Sequence, residues 1–317
     1  MSSVNPLVSV VIPSWNGRHH LETCLPALFR QTYTPFEVIV VDNGSQDGTL
    51  TWLSTKWPHV RLVALRHNYG VARAFNEGLK AARGALVALL NNDTEPEPGW
   101  LAALVAALQR HSGAGMVACK IRVWDDRVRL HAAGDFYTLS GRPGNRGVWE
   151  VDRGQYDQEE DVFGPCGAAA LYRRELFDDI GLFDERFGSY LEDVDVAWRA
   201  QRAGWRCVYT PQAIVYHKVS ATGGGPLASF YTGRNWLYVL AKDYPYALWR
   251  RHWRTIVREQ WRVTTDALRA WRGEAARARL KGQLAGFLGM PRMAWAHRHV
   301  SAQTRVDADT LERLLRA

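Results

Sequence analysis

Short runs of β-branched and other apolar residues alternate with longer amphipathic segments over the first 110 residues of the chain. This alternation is typical of a parallel β-sheet that is covered by helices. The apolar runs predict strands at 8–13, 37–42, 60–65 and 85–90. Apolar positions at helical spacing predict helices at 20–31, 48–56, 71–83 and 100–111. We therefore expect an open α/β sheet in this part of the chain.

Polar residues directly follow three of the four predicted strands. The three segments are Ser14-Trp15-Asn16, Asp42-Asn43-Gly44 and Asn91-Asn92-Asp93. Because ligands bind beyond the carboxyl ends of the strands in an open α/β sheet, we expect these segments to border one cleft. This convergence is the first indication of a binding site.

Two of these features suit a nucleotide: the carboxylate of Asp42 and the turn from Asn68 to Gly70. A carboxylate at a sheet edge can accept hydrogen bonds from a ribose or a base N–H, and small residues after Gly70 would let a diphosphate approach the backbone. Arg73 would then neutralise a phosphate. An ordinary turn with a helix cap explains the Asp42 segment without a ligand, and close packing of a helix on the sheet with a solvated Arg73 explains the other. Both interpretations stay open.

Asp93 follows a fully apolar strand and predicts a metal site at the cleft edge. A hard divalent cation that is bound by one or two carboxylates and by substrate phosphate oxygens would use this geometry. A simple turn before Pro96 is the competing explanation. His217 ends a strand-like run, and if it lies near Asp93 its neutral imidazole makes a further ligand.

Three carboxylates lie at the start of an amphipathic segment, at Glu192, Asp193 and Asp195. A general base must stay ionised while it reaches a substrate hydroxyl, and a helix N-terminus favours the ionised form. Helix capping and the helix dipole explain the same acids without catalysis. Three nearby aromatic residues are expected to form a platform for a sugar or acceptor: Phe187, Tyr190 and Trp198.

The composition is that of a soluble globular protein, with 317 residues of which 47% are hydrophobic and 23% are charged. No stretch approaches the roughly 18 apolar residues that span a bilayer, and the N-terminal apolar run lacks the basic leader of a signal peptide. The four cysteines are scattered, which argues against disulfides and structural zinc. We therefore expect a cytoplasmic protein with reduced thiols.

Positive charge is concentrated toward the C-terminal end. Residues 226–317 hold 17 Lys and Arg against 7 Asp and Glu, whereas residues 1–225 hold 23 against 25. The body is therefore near neutral and the tail is basic. We expect the tail, rather than the body, to meet an anionic partner.

The basic tail also carries a Trp-rich amphipathic pattern between Leu248 and Trp271. An arginine stripe adjoins the tryptophans, at Arg250, Arg254, Arg258 and Arg262. Tryptophan at headgroup depth and arginine on anionic lipid would suit a membrane-surface helix within 246–300. A helix that packs its tryptophans on the body explains the pattern equally well. Nucleic acid is not an expected partner.

Six segments, taken in order, resemble the family 2 glycosyltransferases and come closest to the bacterial rhamnosyltransferase-like branch. They are VSVVIPSWNG, VIVVDNGSQDGT, NYGVARAFNEGL, ALLNNDTEPEPGWL, GAAALYRRELF and FGSYLEDVDVAWRAQRAGW. The resemblance covers roughly residues 7–240. It implies an α/β protein of the GT-A fold, with a Rossmann-like, mostly parallel central sheet flanked by helices and a C-terminal helical extension.

The resemblance also implies which residues form the site. Pro13, Asn16, Asp42 and the Asn68 turn match positions that hold the nucleotide in the family. Together with the residues already singled out at the strand ends and on the helix after Gly70, the expected donor-binding set is Pro13, Trp15, Asn16, Asp42, Asn43, Asn68, Arg73, Asn91, Asn92 and Asp93. Asp93 matches the last acid of the family's metal-binding DxD motif, whose first acid is replaced here by Asn91. Asp93 and His217 are the expected ligands of Mg²⁺ or Mn²⁺, since some relatives place a metal-coordinating histidine at the latter position. Glu192 and Asp193 match the catalytic ED motif, in which the aspartate deprotonates the acceptor hydroxyl.

The implied reaction is inverting transfer of a sugar from a nucleotide-sugar donor. The expected donor is dTDP-L-rhamnose first and a UDP-hexose second, and the expected acceptor is a hydroxyl of a cell-surface glycan or its lipid-linked precursor. A sugar nucleotidyltransferase and a non-catalytic carbohydrate-binding module of the same fold remain as alternatives. The absence of GxxxxGK[ST], and of GxGxxG after the first strand, argues against P-loop enzymes and dinucleotide oxidoreductases.

We expect the chain to be organised as a catalytic domain followed by a helical region. The catalytic domain is expected at 1–225, with a nucleotide-sugar half at about 1–112 and an acceptor half at about 113–225, and the basic, Trp-rich region at 226–317. If this last region binds lipid, the protein is peripheral on the inner face of the cell membrane.

Overall fold

The computed structural model describes residues 5–219 and 224–316. The strands within these ranges are β1 (Val8–Ser14), β2 (Phe36–Asp42), β3 (Arg61–Ala64), β4 (Leu86–Leu90), β5 (Thr94–Pro96), β6 (Ala114–Val123), β7 (Leu130–Ala133), β8 (Asp135–Tyr137), β9 (Pro143–Asn145), β10 (Glu160–Val162), β11 (Ala169–Arg173) and β12 (Arg206–His217). The helices are α1 (Arg18–Leu28), α2 (Thr49–Lys56), α3 (Val71–Ala81), α4 (Trp100–Arg110), α5 (Arg174–Ile180), α6 (Glu192–Arg202), α7 (Gly225–Lys242), α8 (Tyr246–Arg269), α9 (Glu274–Ala302) and α10 (Ala308–Arg313). A 3₁₀ turn at Glu185–Phe187 precedes α6.

The four strands predicted from the apolar runs are present as β1 to β4, and their ends lie within one residue of the prediction. The predicted helices are present as α1 to α4, with ends within three residues. Successive residues of β1 face opposite sides of the sheet: Val10 and Ile12 pack in one hydrophobic cluster and Val11 in the other. Burial on both faces explains why these strands are continuous apolar runs rather than alternating ones.

The order of strands in the main sheet is β10-β12-β6-β11-β4-β1-β2-β3. Strands β3, β2, β1 and β4 are parallel to one another, as are β6 and β12, but β11 runs antiparallel between β4 and β6. The sheet is therefore mixed. The apolar runs predict strands but carry no information on strand direction. The antiparallel strand begins where β4 ends, with Ala169 opposite Leu90.

The helical extension is built on close contact between α7 and α9. A Cβ atom at Gly282 would lie 2.1 Å from the Phe230 carbonyl oxygen, and a Cβ at Gly286 would lie 2.8 Å from the Arg234 carbonyl oxygen. Only glycine permits two helix backbones to approach this closely. The middle of α9 is therefore fixed against α7.

Buried charges join α7 to α6. The Lys242 ammonium lies 2.7 Å from Asp184 and also pairs with Asp195, which accepts hydrogen bonds from Arg199. Removing one partner from such a group leaves an uncompensated buried charge, which is strongly destabilising. The position of α6 thus depends on contacts with the extension. These contacts cross the predicted domain boundary near 225, and that boundary stays a prediction.

None of the helices in the described ranges is long and apolar enough to cross a membrane. All four cysteines are buried, and none of them is paired in a disulfide.

Candidate active site

The polar segments that follow β1, β2 and β4 meet at one edge of the sheet. Ser14 lies opposite Asp42 in the β1–β2 ladder. The Asn43 N–H donates to the Ser14 carbonyl at 2.7 Å, and the Asn92 side-chain amide donates to the Ser14 hydroxyl at 3.0 Å. Ser14 therefore joins all three strand ends, as the strand-edge argument predicts.

Asp42 is fully buried at this edge. One carboxylate oxygen, Oδ2, accepts a hydrogen bond from the Ser45 N–H at 3.0 Å. The other, Oδ1, is buried and has no hydrogen-bond partner in the part of the chain that the structure describes. Because a buried polar atom without a partner is costly, this oxygen is suited to accept a hydrogen bond from a bound ligand.

Three of the predicted donor residues use their side chains to hold loops together. Asn16 has a left-handed backbone, with φ of 49°, and its Oδ1 accepts from the Gln46 N–H at 2.7 Å. The Asn43 amide donates to Oδ1 of Asn68 at 3.0 Å. These asparagines shape the cleft, and their amides are largely occupied by the protein itself.

The other donor-side residues lie toward the rim. Pro13 is half-buried and Trp15 is 46% exposed. Arg73 pairs with two carboxylates, at 2.9 Å from Glu77 and 3.0 Å from Glu185. Because its charge is already offset within the protein, the predicted phosphate contact of Arg73 is the least supported of the donor set.

Asp93 and His217 come together because β5 pairs with β12, which places Thr94 opposite His217. Nε2 of His217 lies 3.2 Å from Oδ1 of Asp93, and both side chains are buried. Burial raises the pKa of the Asp93 carboxyl, but the hydrogen bond to His217 and the charges of His217 and His20 outweigh it, so the pKa lies below its usual value. Asp93 is therefore ionised at neutral pH, as a metal ligand must be.

His131, which the sequence does not single out, forms a hydrogen bond with His217 on the side away from Asp93. The Nδ1 atoms of the two rings lie 3.1 Å apart, so one ring donates to the other. Burial lowers the pKa of His131 to about 3, and His131 is therefore neutral and able to accept. With a cation bound in place of the hydrogen bond to Asp93, donation from Nδ1 of His217 to His131 would leave a lone pair on Nε2, the tautomer that a metal ligand requires.

Across 5–219 and 224–316, no group of three or more His, Cys, Asp or Glu side chains is arranged to hold a metal ion. Asp93 and His217 would supply two ligands only. The remaining ligands of a divalent cation would then be phosphate oxygens of the donor and water, a mode of binding that Mg²⁺ commonly uses.

Asp193 lies in the first turn of α6, after Tyr190 and Leu191, which both have left-handed backbones. Its carboxylate accepts hydrogen bonds from the N–H groups of Gly167 and Val194, both at 2.8 Å. Burial raises the pKa of Asp193 above its usual value despite these two donors. An oriented carboxylate with a raised pKa is a better proton acceptor than an exposed one.

The turn before β11 connects Asp193 to the strand end at Asn91. Gly167 donates to Asp193, and the carbonyl of the next residue, Ala168, accepts from the Asn91 N–H at 2.9 Å. A Cβ atom at Gly167 would lie 2.9 Å from the Asp193 carboxylate, so any side chain at this position would displace the carboxylate. The predicted base and the predicted metal-site segment therefore border the same cleft.

The other two acids of α6 have different surroundings. Glu192 is 6% exposed, and burial together with the charge of Asp193 raises its pKa to about 8. It is therefore mainly protonated at neutral pH and unsuited to act as a base. Asp195 is fully buried in the ion pairs with Arg199 and Lys242 and has a structural role.

The prediction of an aromatic platform is wrong for two of its three residues. Phe187 and Trp198 are fully buried, because they pack in one cluster with Trp236 of α7. Tyr190 is half-buried and stacks on Tyr231 of α7, with ring centroids 6.3 Å apart. The aromatic pair at the start of α6 therefore combines one residue of the motif with one from the extension.

Asp135 is a further acid near Asp193 that sequence reasoning missed. It is 8% exposed, and its Oδ1 has no hydrogen-bond partner within the described ranges. Burial and the charge of Asp193 raise the pKa of Asp135 well above its usual value. A single aspartate at the start of the short strand β8 gives no signal of this proximity in the sequence.

Comparisons with known proteins agree with this geometry. The profile described as Glycosyl transferase family 2 matches residues 9–181. Over 273 residues the chain is 31% identical to an N-acetylglucosaminyl-diphospho-decaprenol L-rhamnosyltransferase of Mycobacterium tuberculosis, which covers 79% of this chain and 88% of that protein.

Two solved structures have a similar fold. The mannosyltransferase PcManGT from Pyrobaculum calidifontis, in complex with GDP-Man and Mn²⁺, aligns with a TM-score of 0.55 and 18% identity over 95% of this chain and 86% of that chain. GalNAc-T7 with UDP, GalNAc and Mn²⁺ aligns with a TM-score of 0.62 and 17% identity over 76% of this chain, which spans about half (49%) of that longer protein. At such identities the two structures establish the fold alone, which is the expected GT-A fold with a helical C-terminal region.

The family profile covers more than half of the chain, and the mycobacterial relative aligns with most of it. The strand ends and the start of α6 lie where the six motifs of the resemblance place them. The chain belongs to glycosyltransferase family 2, and its activity is glycosyl transfer.

Proposed function

We propose that this glycosyltransferase moves L-rhamnose from dTDP-L-rhamnose to a hydroxyl of a lipid-linked glycan precursor, with inversion at the anomeric carbon. The observation that carries the proposal is the contact of Asp193 with the turn at Gly167, which brings a half-buried carboxylate to the strand end at Asn91. The sugar and the lipid-linked acceptor follow the name of the mycobacterial relative. A UDP-hexose is the second candidate donor.

In the proposed reaction Asp193 takes the proton of the acceptor hydroxyl. The acceptor oxygen attacks the anomeric carbon on the face opposite the nucleoside diphosphate, and the bond to the diphosphate breaks as the glycosidic bond forms. The N–H groups of Gly167 and Val194 hold the carboxylate in one orientation during this step. The free Oδ1 of Asp42 would accept a hydrogen bond from the base or the ribose of the donor.

Asp93 and His217 fit a divalent cation, because they present a carboxylate oxygen and an imidazole nitrogen 3.2 Å apart at a buried edge. When bound there, Mg²⁺ or Mn²⁺ would offset the charge that develops on the leaving diphosphate. With only two protein ligands, we expect weak metal binding unless the nucleotide is also present. The two solved neighbours that contain Mn²⁺ also contain a nucleotide or nucleotide sugar.

A panel of nucleotide sugars, tested by thermal shift and by nucleotide release in Mn²⁺, checks the donor. We expect dTDP-L-rhamnose to raise the melting temperature most and to release dTDP when polyprenyl-diphosphate-linked N-acetylglucosamine is supplied, because the relative acts on such an acceptor. A larger response to a UDP-hexose would overturn the choice of donor. Formation of diphosphate from dTTP and rhamnose 1-phosphate would instead identify a nucleotidyltransferase.

The helical extension presents an apolar surface to solvent. Several large apolar side chains of α8 and α9 are at least half exposed: Tyr246, Trp253, Val257, Trp261, Phe287, Leu288 and Trp295. By contrast, Trp249 is half-buried and Ile256 is buried on the protein. Three exposed arginines of α8 contact no carboxylate of the described residues: Arg250, Arg254 and Arg258. We propose that this surface binds anionic lipid, which makes the protein peripheral on the inner face of the cell membrane.

Replacing Arg250, Arg254 and Arg258 together with serine is expected to weaken binding to phosphatidylglycerol-containing vesicles by about 100-fold. Each arginine near an anionic surface contributes about 1 kcal/mol. Co-sedimentation at low and high salt measures the effect.

The matched control replaces three arginines of the same helix that are paired with acids: Arg251, Arg262 and Arg269. We expect this triple variant to keep most of its vesicle binding. Equal loss in both triple variants would show that net charge alone is responsible, and no loss in either would refute the membrane surface.

A further inference from the structure

A groove of about 650 Å³ opens between α7, α8 and α9, and no step of the proposed transfer uses it. Mostly apolar side chains line it, among them Leu240, Tyr244, Trp249, Trp253, Met290 and Ala294. Its volume lies within the range of roughly 300–1,000 Å³ that is usual for small-molecule sites. The groove is therefore large enough for part of a lipid chain.

The floor of the groove is attached to the helix that carries the predicted base. Tyr244 packs in the same buried cluster as Trp198 of α6. Arg202, at the end of α6, donates to the carbonyl of Asp243 at 2.7 Å. At about 1.5 Å per residue, Asp193 lies roughly 13 Å from Arg202 along this helix. The groove is thus within one helix length of the cleft.

The mouth of the groove combines exposed apolar groups with a cation. Tyr246 and Trp253 line the groove and are 71% and 50% exposed, so the groove continues into the apolar surface of α8. Arg250 lines the same mouth and contacts no acid of the described residues. An apolar chain with an anionic group at one end matches this arrangement, whereas a neutral lipid would leave Arg250 without a partner.

We propose that the groove binds the isoprenoid chain of the acceptor lipid next to its diphosphate, with Arg250 at the diphosphate. This inference rests on the proposed function, because only a lipid-linked acceptor carries such a chain. Aromatic walls and the adaptable side chain of Met290 suit a branched, irregular chain. The bound chain would anchor the acceptor on the protein while the rest of the lipid stays in the membrane.

Transfer kinetics with two acceptors test the groove. Both acceptors carry N-acetylglucosamine diphosphate, one on a short and one on a long isoprenoid chain. For the unaltered protein we expect KM to be about tenfold lower with the long chain, since each additional buried carbon adds apolar contact. Ala294→Trp fills the groove and should remove this difference, with kcat changed less than about twofold because Asp193 is untouched. Equal KM values for both chains in the unaltered protein would overturn the proposal, and this arm needs no variant to fold.

Direct binding measurements test the groove independently of catalysis. By calorimetry, farnesyl diphosphate is expected to bind the unaltered protein at least about tenfold more tightly than Ala294→Trp. The matched control is Ala275→Trp, which adds the same side chain at an exposed position of α9 outside the groove and should bind as the unaltered protein does. Equal affinity of Ala294→Trp, or equal binding of inorganic diphosphate or dodecyl phosphate, would overturn the isoprenoid site. Failure of every acceptor, short chains included, would count against the proposed function, while farnesyl diphosphate binding would still decide the groove.

Discussion

Asp193→Asn is expected to bind the donor normally but to lose about 10²-fold to 10⁴-fold in turnover, the usual contribution of a positioned general base. The asparagine side chain keeps the shape of aspartate, and its carbonyl oxygen can still accept from the Gly167 N–H, but it cannot take up a proton. The rate of dTDP release with acceptor measures turnover, and dTDP affinity by calorimetry confirms an intact donor site. Undiminished turnover would rule out Asp193 as the base.

Glu192→Gln is the matched control for this substitution. Because burial and the charge of Asp193 raise the pKa of Glu192 to about 8, this side chain is already mainly protonated at pH 7, and the glutamine variant should keep most activity. A larger loss of turnover in Glu192→Gln than in Asp193→Asn would indicate that Glu192, rather than Asp193, is the base.

The pH profile of kcat/KM is an independent test of Asp193 as the base. Only the ionised carboxylate can accept a proton, so kcat/KM should fall as the pH drops through the raised pKa of Asp193. That acid limb should be absent from the residual activity of Asp193→Asn. A limb that persists unchanged in this variant would belong to another group.

Asp93→Asn is expected to lower kcat/KM by about 10²-fold or more in saturating Mn²⁺, because stabilisation of the leaving diphosphate by a metal is worth several kcal/mol. The variant keeps the size of the side chain but loses the ionised oxygen that faces His217 at 3.2 Å. Mn²⁺ binding, followed by electron paramagnetic resonance with dTDP present, should weaken in parallel with activity.

Glu95→Gln is the control for Asp93→Asn, since Glu95 lies two residues away and pairs with Arg127 at the surface. We expect it to leave Mn²⁺ binding and turnover unchanged. His217→Ala should shift Mn²⁺ affinity in the same direction as Asp93→Asn. Wild-type Mn²⁺ affinity in both Asp93→Asn and His217→Ala would refute the metal site.

The features of the fold that depend on local sequence could be predicted. The strand runs and the polar residues after them are short-range patterns, and together with the strand-edge rule they predict the meeting of Asp42 and Asn92 at Ser14. The sequence makes His217 a metal ligand only if it lies near Asp93, and the pairing of β5 with β12 brings the two residues together. The roles of these residues in binding and catalysis remain predictions.

Features that depend on contacts between distant segments could not be predicted. His131 lies 86 residues from His217 in sequence, and only the packing of the two rings makes it relevant. Phe187 and Trp198 have the residue type of a sugar platform, but α7 covers them. The direction of β11 also depends on pairing with β4 and β6 rather than on its own apolar run.

The Trp-rich tail shows the same limit. Its periodicity fits both a helix that packs on the body and a helix that lies on a membrane, and α8 buries some of its apolar side chains and exposes others. Trp249 and Ile256 face the protein, whereas Trp253 and Trp261 are 50% and 69% exposed. A single helical repeat carries no information on which stripe meets the protein.

The anomeric configuration of the product is the most direct test of transfer by single displacement with Asp193 as base. Nuclear magnetic resonance of the new linkage, formed from dTDP-L-rhamnose on the lipid-linked acceptor, should show a configuration opposite to that of the donor. A product with retained configuration, or donor consumption that yields free rhamnose and no glycosidic product in the presence of acceptor, would contradict it.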